Sequence, residues 1–214
     1  MKLIVWDFHG TLEEGNELAV LEMSNTVLIN FGYSEQFTDQ DCYKLYGKKW
    51  FEYFEYLIPK AGKEKHLELQ EACFAYSNSH QEIIAKYIKP AKNAHKTLEL
   101  LKRKHDQILI SNTKPESLEV FTRAIKIHKY FNAGKAFATD AHVFNKTKKD
   151  VLSSYLKDKK FDELFSVGDS PSDIELGHYF GAKTVLYGHE SRDIKVAEAD
   201  FKIRDLFELV DIVS

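Results

Sequence analysis

The feature that most constrains the fold is the alternation of short apolar segments with segments of helical spacing. The apolar segments are three or four residues long, a pattern typical of strands buried on both faces of a parallel sheet. They occupy residues 3–6, 108–110, 136–138, 164–167 and 184–186. The helical segments between them occupy residues 94–104, 117–126, 148–156 and 173–180. This alternation predicts an α/β fold with a doubly wound, Rossmann-like parallel sheet.

A second region of the chain, residues 15–89, has a different character. It contains no strand-like run, and helical spacing dominates it. We therefore predict two domains: an α/β core formed by residues 1–14 and 90–214, and an all-helical domain inserted at 15–89.

Details of the inserted region support the helical interpretation. Thr38 and Asp41 have the spacing of a capping box. The aromatic segment at 50–54 favours packing inside a helical bundle over a ligand cage. One face of the first helix is predicted to carry Leu18, Leu21, Leu28 and Phe31.

Composition narrows the function classes. The chain has 214 residues, of which 43% are hydrophobic and 29% charged, as in globular proteins, and a net charge of -3 gives no reason to expect nucleic acid. Cys42 and Cys73 form no CxxC pair, so we expect neither a disulfide framework nor a zinc site, and a reducing cytoplasm fits best. We expect no export signal and no membrane span, because no suitable apolar run occurs. The oligomeric state is left open.

Polar side chains follow three of the predicted strands, where ligands gather in doubly wound sheets. Asp7 follows the first strand, Ser111 and Asn112 follow the second, and the segment at 168–173 follows a third. Each stretch alone could be a helix cap or a turn. Several carboxylates brought together repel one another unless a cation balances them, and Mg²⁺ is the natural occupant of such a site.

These stretches resemble the four motifs of the haloacid dehalogenase (HAD) superfamily of phosphohydrolases. The motifs are matched in order by residues 7–12, residues 111–112, Lys146 and residues 168–173. The resemblance covers essentially the whole chain. The helical insertion is similar to the C1-type cap domain of the group containing phosphoglycolate phosphatase, β-phosphoglucomutase and phosphonoacetaldehyde hydrolase.

The resemblance implies a nucleophile and a metal site. Asp7 would form an aspartyl-phosphate and would also bind Mg²⁺. Asp169 would bind the ion directly, Asp173 would bind it directly or through water, and the backbone carbonyl of His9 would be a further ligand. The metal site therefore does not depend on the side chain at position 9.

The resemblance also implies groups that hold the phosphate. Ser111 and the backbone of Asn112 would donate hydrogen bonds to phosphoryl oxygens, and Lys146 would neutralise charge in the transition state. Spacing favours Lys146 over its neighbours, because residues 146–150 match the family's Lys-Pro-x-x-Asp pattern except for the proline. Lys148 and Lys149 are predicted to lie on a solvated helix face.

His9 is the main departure from the family pattern. Most phosphatases that the chain resembles carry an aspartate there, which acts as acid and then base. An imidazole can exchange protons near neutrality and could replace it. Alternatively, His9 is only hydrogen-bonded into the loop and catalysis is lost or carried by water, or the leaving group needs little protonation.

The last alternative has a precedent in the resemblance. Phosphonoacetaldehyde hydrolase lacks this aspartate and uses a lysine of its cap as a Schiff base. Lys48 and Lys49 lie in a segment, residues 45–50, that resembles the specificity loop of the cap. Dehalogenase chemistry ranks last, because it would leave Asp169 and Asp173 without a role.

The sequence therefore predicts a Mg²⁺-dependent phosphatase that acts on a small phosphorylated metabolite. A phosphonatase-like C–P hydrolase and a phosphate- or metabolite-binding module with weakened catalysis are the alternatives.

Overall fold

The computed structural model of the chain describes residues 1–131, 134–139, 146–189 and 198–214. It divides into two compact units. One combines Met1–Glu14 with Lys89–Ser214, and the other is Gly15–Ile88. Among the described residues, no helix has the length and apolar character needed to cross a membrane.

The strands of the described residues all belong to the first unit. In chain order they are β1 Leu3–Trp6, β2 Glu13–Glu14, β3 Lys89–Pro90, β4 Asp106–Ser111, β5 Ala136–Ala138, β6 Leu164–Gly168, β7 Lys183–Tyr187 and β8 Phe201–Ile203. Six of them form one sheet in the order β5-β4-β1-β6-β7-β8. Every neighbouring pair in this sheet is parallel.

The helices of the described residues divide evenly between the units. Those of the helical unit are α1 Asn16–Asn30, α2 Asp39–Leu45, α3 Trp50–Leu57, α4 Lys63–Ser79 and α5 Gln81–Tyr87. Those of the sheet unit are α6 Ala94–Lys102, α7 Pro115–Ala124, α8 Lys148–Leu156, α9 Pro171–Tyr179 and α10 Glu208–Val213. Short 3₁₀ turns occupy Pro59–Ala61 and His128–Tyr130. The predicted α/β class with a doubly wound parallel sheet is confirmed.

Strand β1 lies at the centre of the sheet. Leu3, Ile4 and Trp6 are fully buried, as an uninterrupted apolar strand in a parallel sheet requires. Strand β4 lies next to β1 on one side and β6 lies next to it on the other, so the strand order reverses at β1. Asp7, directly after β1, therefore lies at the position where open α/β sheets bind ligands.

A short antiparallel pair marks the place where the chain leaves the sheet unit and returns to it. Glu13 of β2 pairs with Pro90 of β3, and Glu14 pairs with Lys89. The two ends of the intervening segment are thus held side by side by backbone pairing.

The helical unit has its own core. Phe54, Leu69 and Cys73 are among its fully buried members, and the Trp50 indole N–H donates to the Ser24 hydroxyl at 2.7 Å. The aromatic segment therefore contributes to packing, as predicted. The predicted capping box of Thr38 and Asp41 is present at the start of α2.

The predicted buried face of α1 is wrong in part. Leu18 and Leu21 are only half-buried and Phe31 is exposed, whereas Ala19, Met23, Ser24, Val27 and Leu28 are buried. Helix α1 packs against α2, α4 and α5, and small residues such as Ala19 and Ser24 can fill positions where helices approach closely. A pattern of leucines alone does not reveal such a face.

Candidate active site

Three carboxylates converge at the carboxyl edge of the sheet. Asp7, Asp169 and Asp173 each have a carboxylate oxygen within 4.8 Å of the others. Asp169 and Asp173 are buried, and Asp7 is nearly so. Clustered oxygen donors of this kind fit a hard divalent cation such as Mg²⁺.

Local structure after β6 places two of these carboxylates. Ser170 and Asp173 form a capping box at the start of α9, in which the Ser170 backbone N–H donates to Asp173 Oδ2 at 3.2 Å. Gly168 lies so close to Asp173 that an added Cβ would come within 2.3 Å of its side chain. Only glycine at position 168 leaves room for Asp173 in this turn.

Lys148 joins the three carboxylates. Its Nζ lies 2.5 Å from Asp7 Oδ1 and 2.7 Å from Asp173 Oδ1, and its side chain is only 10% exposed. The prediction that Lys148 lies on a solvated helix face is therefore wrong. Thr147 caps α8 by accepting a hydrogen bond from the Asp150 backbone N–H, so Lys148 is the first residue of the helix.

The lysine predicted at this position, Lys146, is elsewhere. It precedes the cap, is exposed, and lines a cavity together with Phe137 and Tyr155. Within the described parts of the chain, the ammonium that pairs with Asp7 belongs to Lys148. The correction follows from the helix start at Thr147, which turns Lys148 towards the sheet edge.

Burial and neighbouring charges shift the pKa values of this cluster. Burial, together with the nearby charges of Asp173 and Asp169, raises the pKa of Asp7 to about 7 against the opposing effect of Lys148. Burial lowers the pKa of Lys148, but the charges of Asp173 and Asp7 outweigh burial and the net shift is upward. Within the described residues, the Lys148 ammonium pairs with Asp7 and Asp173, and a cluster of three carboxylates is electrostatically favourable for binding a further cation.

Ser111 and Asn112 lie at the end of β4, the strand next to β1. The Ser111 hydroxyl is buried and has no hydrogen-bond partner within the described residues. Asn112 Oδ1 accepts from the Thr139 hydroxyl at 3.0 Å, which orients the Asn112 side chain. A buried hydroxyl without a partner is unfavourable, so a ligand oxygen at this edge would satisfy it.

His9 lies on the turn that follows Asp7. Its Nδ1 is 2.9 Å from Glu13 Oε1, and its ring makes edge contacts with Phe8 and Phe121 at centroid distances of 4.9 and 5.1 Å. The Thr11 hydroxyl of the same turn donates to Asp7 Oδ2 at 3.3 Å. The side chain of His9 is 22% exposed, so part of the imidazole remains accessible.

Comparison with known families decides the classification. The model of haloacid dehalogenase-like hydrolases matches residues 4–187. The chain belongs to this family. No curated protein matches it significantly in sequence.

Solved structures with the fold of this HAD-like hydrolase cover nearly its whole length. A predicted phosphoglycolate phosphatase from Haemophilus somnus matches with a TM-score of 0.81 at 18% identity, over 99% of this chain and 97% of that one. A HAD-like hydrolase from Streptococcus pneumoniae has a TM-score of 0.77 at 13% identity, over 99% and 98%. A subfamily IA HAD hydrolase from Geobacter sulfurreducens has a TM-score of 0.75 at 18% identity, over 100% and 97%.

His189 of the HAD-like hydrolase was missed by the sequence analysis. Its Nε2 lies 2.5 Å from the Gly10 carbonyl oxygen and 3.4 Å from Asp169 Oδ2. A signal was available, because His189 comes two residues after β7, whose carboxyl end lies at the same sheet edge. Its hydrogen bond to Gly10 ties the turn after β1 to the loop after β7.

Glu13 was also missed, although it lies four residues after His9. Its carboxylate is fully buried, which is rare for glutamate without a specific partner. The imidazole and the Gly10 backbone N–H, at 3.3 Å, are its partners.

Lys48 and Lys49 belong to the helical unit. Lys48 is exposed and lies 3.8 Å from Glu52, and the backbone N–H of Lys49 donates to Glu52 at 2.7 Å where α3 begins. Gly47 before them has a φ of 81°, as the tight turn required. Their role in binding substrate stays a prediction.

Proposed function

We propose that the protein is a Mg²⁺-dependent phosphatase that hydrolyses a small phosphorylated metabolite through an aspartyl-phosphate at Asp7. The observation that carries the proposal is the cluster of Asp7, Asp169, Asp173 and Lys148 at the carboxyl edge of the sheet. Membership of a hydrolase family supports it. The similarity to a structure described as a phosphoglycolate phosphatase favours a small substrate.

Asp7 is suited to the role of nucleophile. One of its oxygens would attack phosphorus as the bond to the ester oxygen breaks, and water would later attack the phosphorus of the aspartyl-phosphate and release Asp7. A Mg²⁺ ion held by Asp7, Asp169, Asp173 and the His9 carbonyl would offset the repulsion between carboxylate and phosphate. The contacts of Asp7 with Lys148 and Thr11 fix the orientation of its carboxylate.

Lys148, Ser111 and Asn112 would hold the transferred group. Among the described residues, Lys148 pairs directly with Asp7, so we assign to it the charge-neutralising role that the sequence suggested for Lys146. The Ser111 hydroxyl, which lacks a hydrogen-bond partner in the described part of the chain, and the Asn112 backbone N–H would donate to phosphoryl oxygens.

His9 would serve both half-reactions. The ring would give a proton to the leaving alkoxide in the first step and take a proton from the attacking water in the second, so its protonation is restored after one turnover. Its partial exposure is compatible with such contact.

Lys48 and Lys49 are proposed as cations that contact the anionic substrate when the helical unit acts as a cap. Replacing either by alanine should raise KM for the natural substrate more than KM for p-nitrophenyl phosphate. Equal changes would assign both lysines to the solvated surface.

The proposal is tested by measuring phosphate release from p-nitrophenyl phosphate and from a panel of phosphorylated metabolites, with Mg²⁺ and with a chelator. We expect hydrolysis that requires Mg²⁺ and prefers one class of metabolite. Saturable binding of metabolites without any phosphate release would favour the binding-module alternative. Release that a chelator leaves unchanged would exclude the metal site.

A further inference from the structure

Glu13 occupies a position where a buried carboxylate needs an explanation. It is the first residue of the short strand β2, and it is fully buried. One oxygen, Oε1, accepts hydrogen bonds from the His9 ring at 2.9 Å and from the Gly10 backbone N–H at 3.3 Å. The other oxygen, Oε2, is buried and has no hydrogen-bond partner in the described parts of the chain.

If stability alone is considered, this arrangement of the Glu13 carboxylate is unfavourable. A buried carboxylate oxygen without a partner has lost its hydration, and an apolar side chain would fill the same space without that penalty. The penalty is offset only in part by the two bonds to Oε1. A role in orienting His9 gives the carboxylate a function that an apolar residue could not supply.

We propose that Glu13 is a positioning residue that fixes the tautomer and orientation of the His9 ring. The inference rests on the proposed function, because it assigns the partner through which His9 acts. A carboxylate only accepts hydrogen bonds, so the hydrogen of the neutral ring lies on Nδ1 and the lone pair on Nε2. Nε2 is then the nitrogen available to a leaving group or to water, as in other sites where a carboxylate orients a catalytic histidine.

The local backbone brings the two side chains together. The backbone N–H groups of Thr11, Leu12 and Glu13 all point to the Phe8 carbonyl oxygen, at 3.2, 3.0 and 3.3 Å, and this turn sets residue 13 beside residue 9. The edge contacts of the ring with Phe8 and Phe121 restrict its rotation. Glu13 therefore acts on a ring that is already confined, and it selects the nitrogen that carries the hydrogen.

The first experiment compares Glu13→Leu with Glu13→Gln. Leucine removes the acceptor, whereas glutamine keeps it, because the Gly10 N–H continues to hold a carbonyl oxygen at the Oε1 position. We expect Glu13→Leu to lower kcat for β-glycerophosphate about 10- to 100-fold, with less than about threefold change for p-nitrophenyl phosphate, whose leaving group needs no proton. Glu13→Gln should stay within about threefold of the wild type for both substrates.

Two controls separate positioning from structure. In a His9→Asp background, Glu13→Leu should affect both substrates equally, since no ring remains to be oriented. Glu14→Leu changes the exposed neighbour, whose carboxylate accepts from Tyr187, and it should leave the substrate preference unchanged. Equal losses for both substrates when His9 is present, or the same selective loss in the His9→Asp background, would make Glu13 purely structural.

The second measurement does not need turnover. Long-range ¹H–¹⁵N spectra of the imidazoles, recorded well above the ordinary histidine pKa of about 6.5, report which ring nitrogen carries the hydrogen. We expect the His9 signal, identified by its absence from His9→Asn, to show the Nδ1–H tautomer in the wild type and in Glu13→Gln. Glu13→Leu should shift it towards the Nε2–H tautomer that free histidine prefers.

The outcomes distinguish the inference from the function on which it rests. An Nε2–H tautomer in the wild type, or an unchanged tautomer in Glu13→Leu, overturns the positioning role even if the enzyme is active. If the tautomer shifts as expected but His9→Ala hydrolyses both substrates at the wild-type rate, then Glu13 orients His9 but the acid–base role of His9 is wrong.

Discussion

Two aspartates at opposite edges of the same sheet have pKa values that are shifted in opposite directions. Asp7 follows β1 at the carboxyl edge, and Asp106 begins β4 at the amino edge. Burial raises the pKa of both. At Asp106, however, hydrogen bonds from Lys135 and from the Tyr155 hydroxyl at 2.7 Å outweigh burial and bring the pKa below its usual value. At Asp7 the pKa stays raised, at about 7.

Each aspartate pairs with one lysine, so the difference between the two pKa values comes from their other neighbours. Asp106 also accepts from the Tyr155 hydroxyl and the Gln107 backbone N–H, whereas Asp7 also accepts from the Thr11 hydroxyl but faces two further carboxylates. A carboxylate surrounded by donors stabilises the folded state, and one surrounded by like charges destabilises it. The surroundings of Asp106 therefore stabilise the folded protein, whereas the carboxylates around Asp7 form a cluster that a cation would stabilise.

The largest expected effect is on kcat, which should fall when Asp7 is replaced but not when Asp106 is replaced. Asp7→Asn should reduce kcat for phosphate esters by at least about 10⁴-fold, because it removes the attacking oxygen with little change of volume. Asp106→Asn should keep kcat within about threefold. Rates for both variants with p-nitrophenyl phosphate and Mg²⁺ measure the difference. Wild-type turnover by Asp7→Asn would exclude Asp7 as nucleophile.

The next effect sharpens the assignment of the lysine at the carboxyl edge. Lys148→Met should lower kcat about 10²- to 10³-fold, because the ammonium next to Asp7 is lost. Lys146→Met and Lys149→Met, at exposed positions on either side, should each stay within about twofold. Steady-state kinetics of the three variants test this order. A larger loss at Lys146 would restore the assignment made from sequence spacing.

The third prediction concerns the free energy of unfolding of the two aspartate variants in the absence of Mg²⁺. The raised pKa of Asp7 means that its contribution to stability is present below about pH 4 and is lost as pH rises through about 7. Asp7→Asn should therefore raise the free energy of unfolding by about 1–3 kcal/mol at pH 8 and have little effect near pH 4.

Asp106→Asn should do the opposite. Its lowered pKa gives stability above the ordinary aspartate pKa that is lost as pH falls, so the variant should be less stable than the wild type at pH 8. Urea unfolding of the metal-free proteins at both pH values measures these differences. Equal destabilisation by both substitutions would show that the two edges do not differ.

The smallest effect is expected at His9, which lies at the carboxyl edge but outside the acidic cluster. The imidazole is bulkier than a carboxylate and cannot reproduce its position, so His9→Asp should raise kcat for β-glycerophosphate about tenfold. The rise for p-nitrophenyl phosphate should be smaller. A fall in both rates would mean that the His9 side chain is matched to this site better than aspartate.

The strands and the acidic cluster were accessible from sequence, because burial and strand ends leave a local pattern. An apolar run at 3–6 in this α/β chain fits a buried parallel strand, and parallel strands bring Asp7 and Asp169 to one edge. The spacing of the family motif did not identify Lys148 as the lysine that pairs with Asp7. The capping box of Thr147 and Asp150, which fixes the start of α8, was readable and would have favoured Lys148.

Other features depend on tertiary packing. The partner of His9 could not be deduced from a charged residue at position 13, since most glutamates are exposed. The buried face of α1 depends on which helices pack against it. These are the features for which local pattern carries little information.

The pairing of β2 with β3 has a consequence for how the chain can vary in length. Glu14 and Lys89 are directly paired, so their Cα atoms are held about 5 Å apart whatever lies between them. The helical unit can therefore be treated as a loop of the sheet unit, and the pairing of β2 with β3 holds the two ends of this loop together. Because closure entropy grows only with the logarithm of loop length, doubling this insertion would cost about 0.6 kcal/mol. The position between residues 14 and 89 is thus a place where segments of very different size can be exchanged without changing the register of the strands at the carboxyl edge.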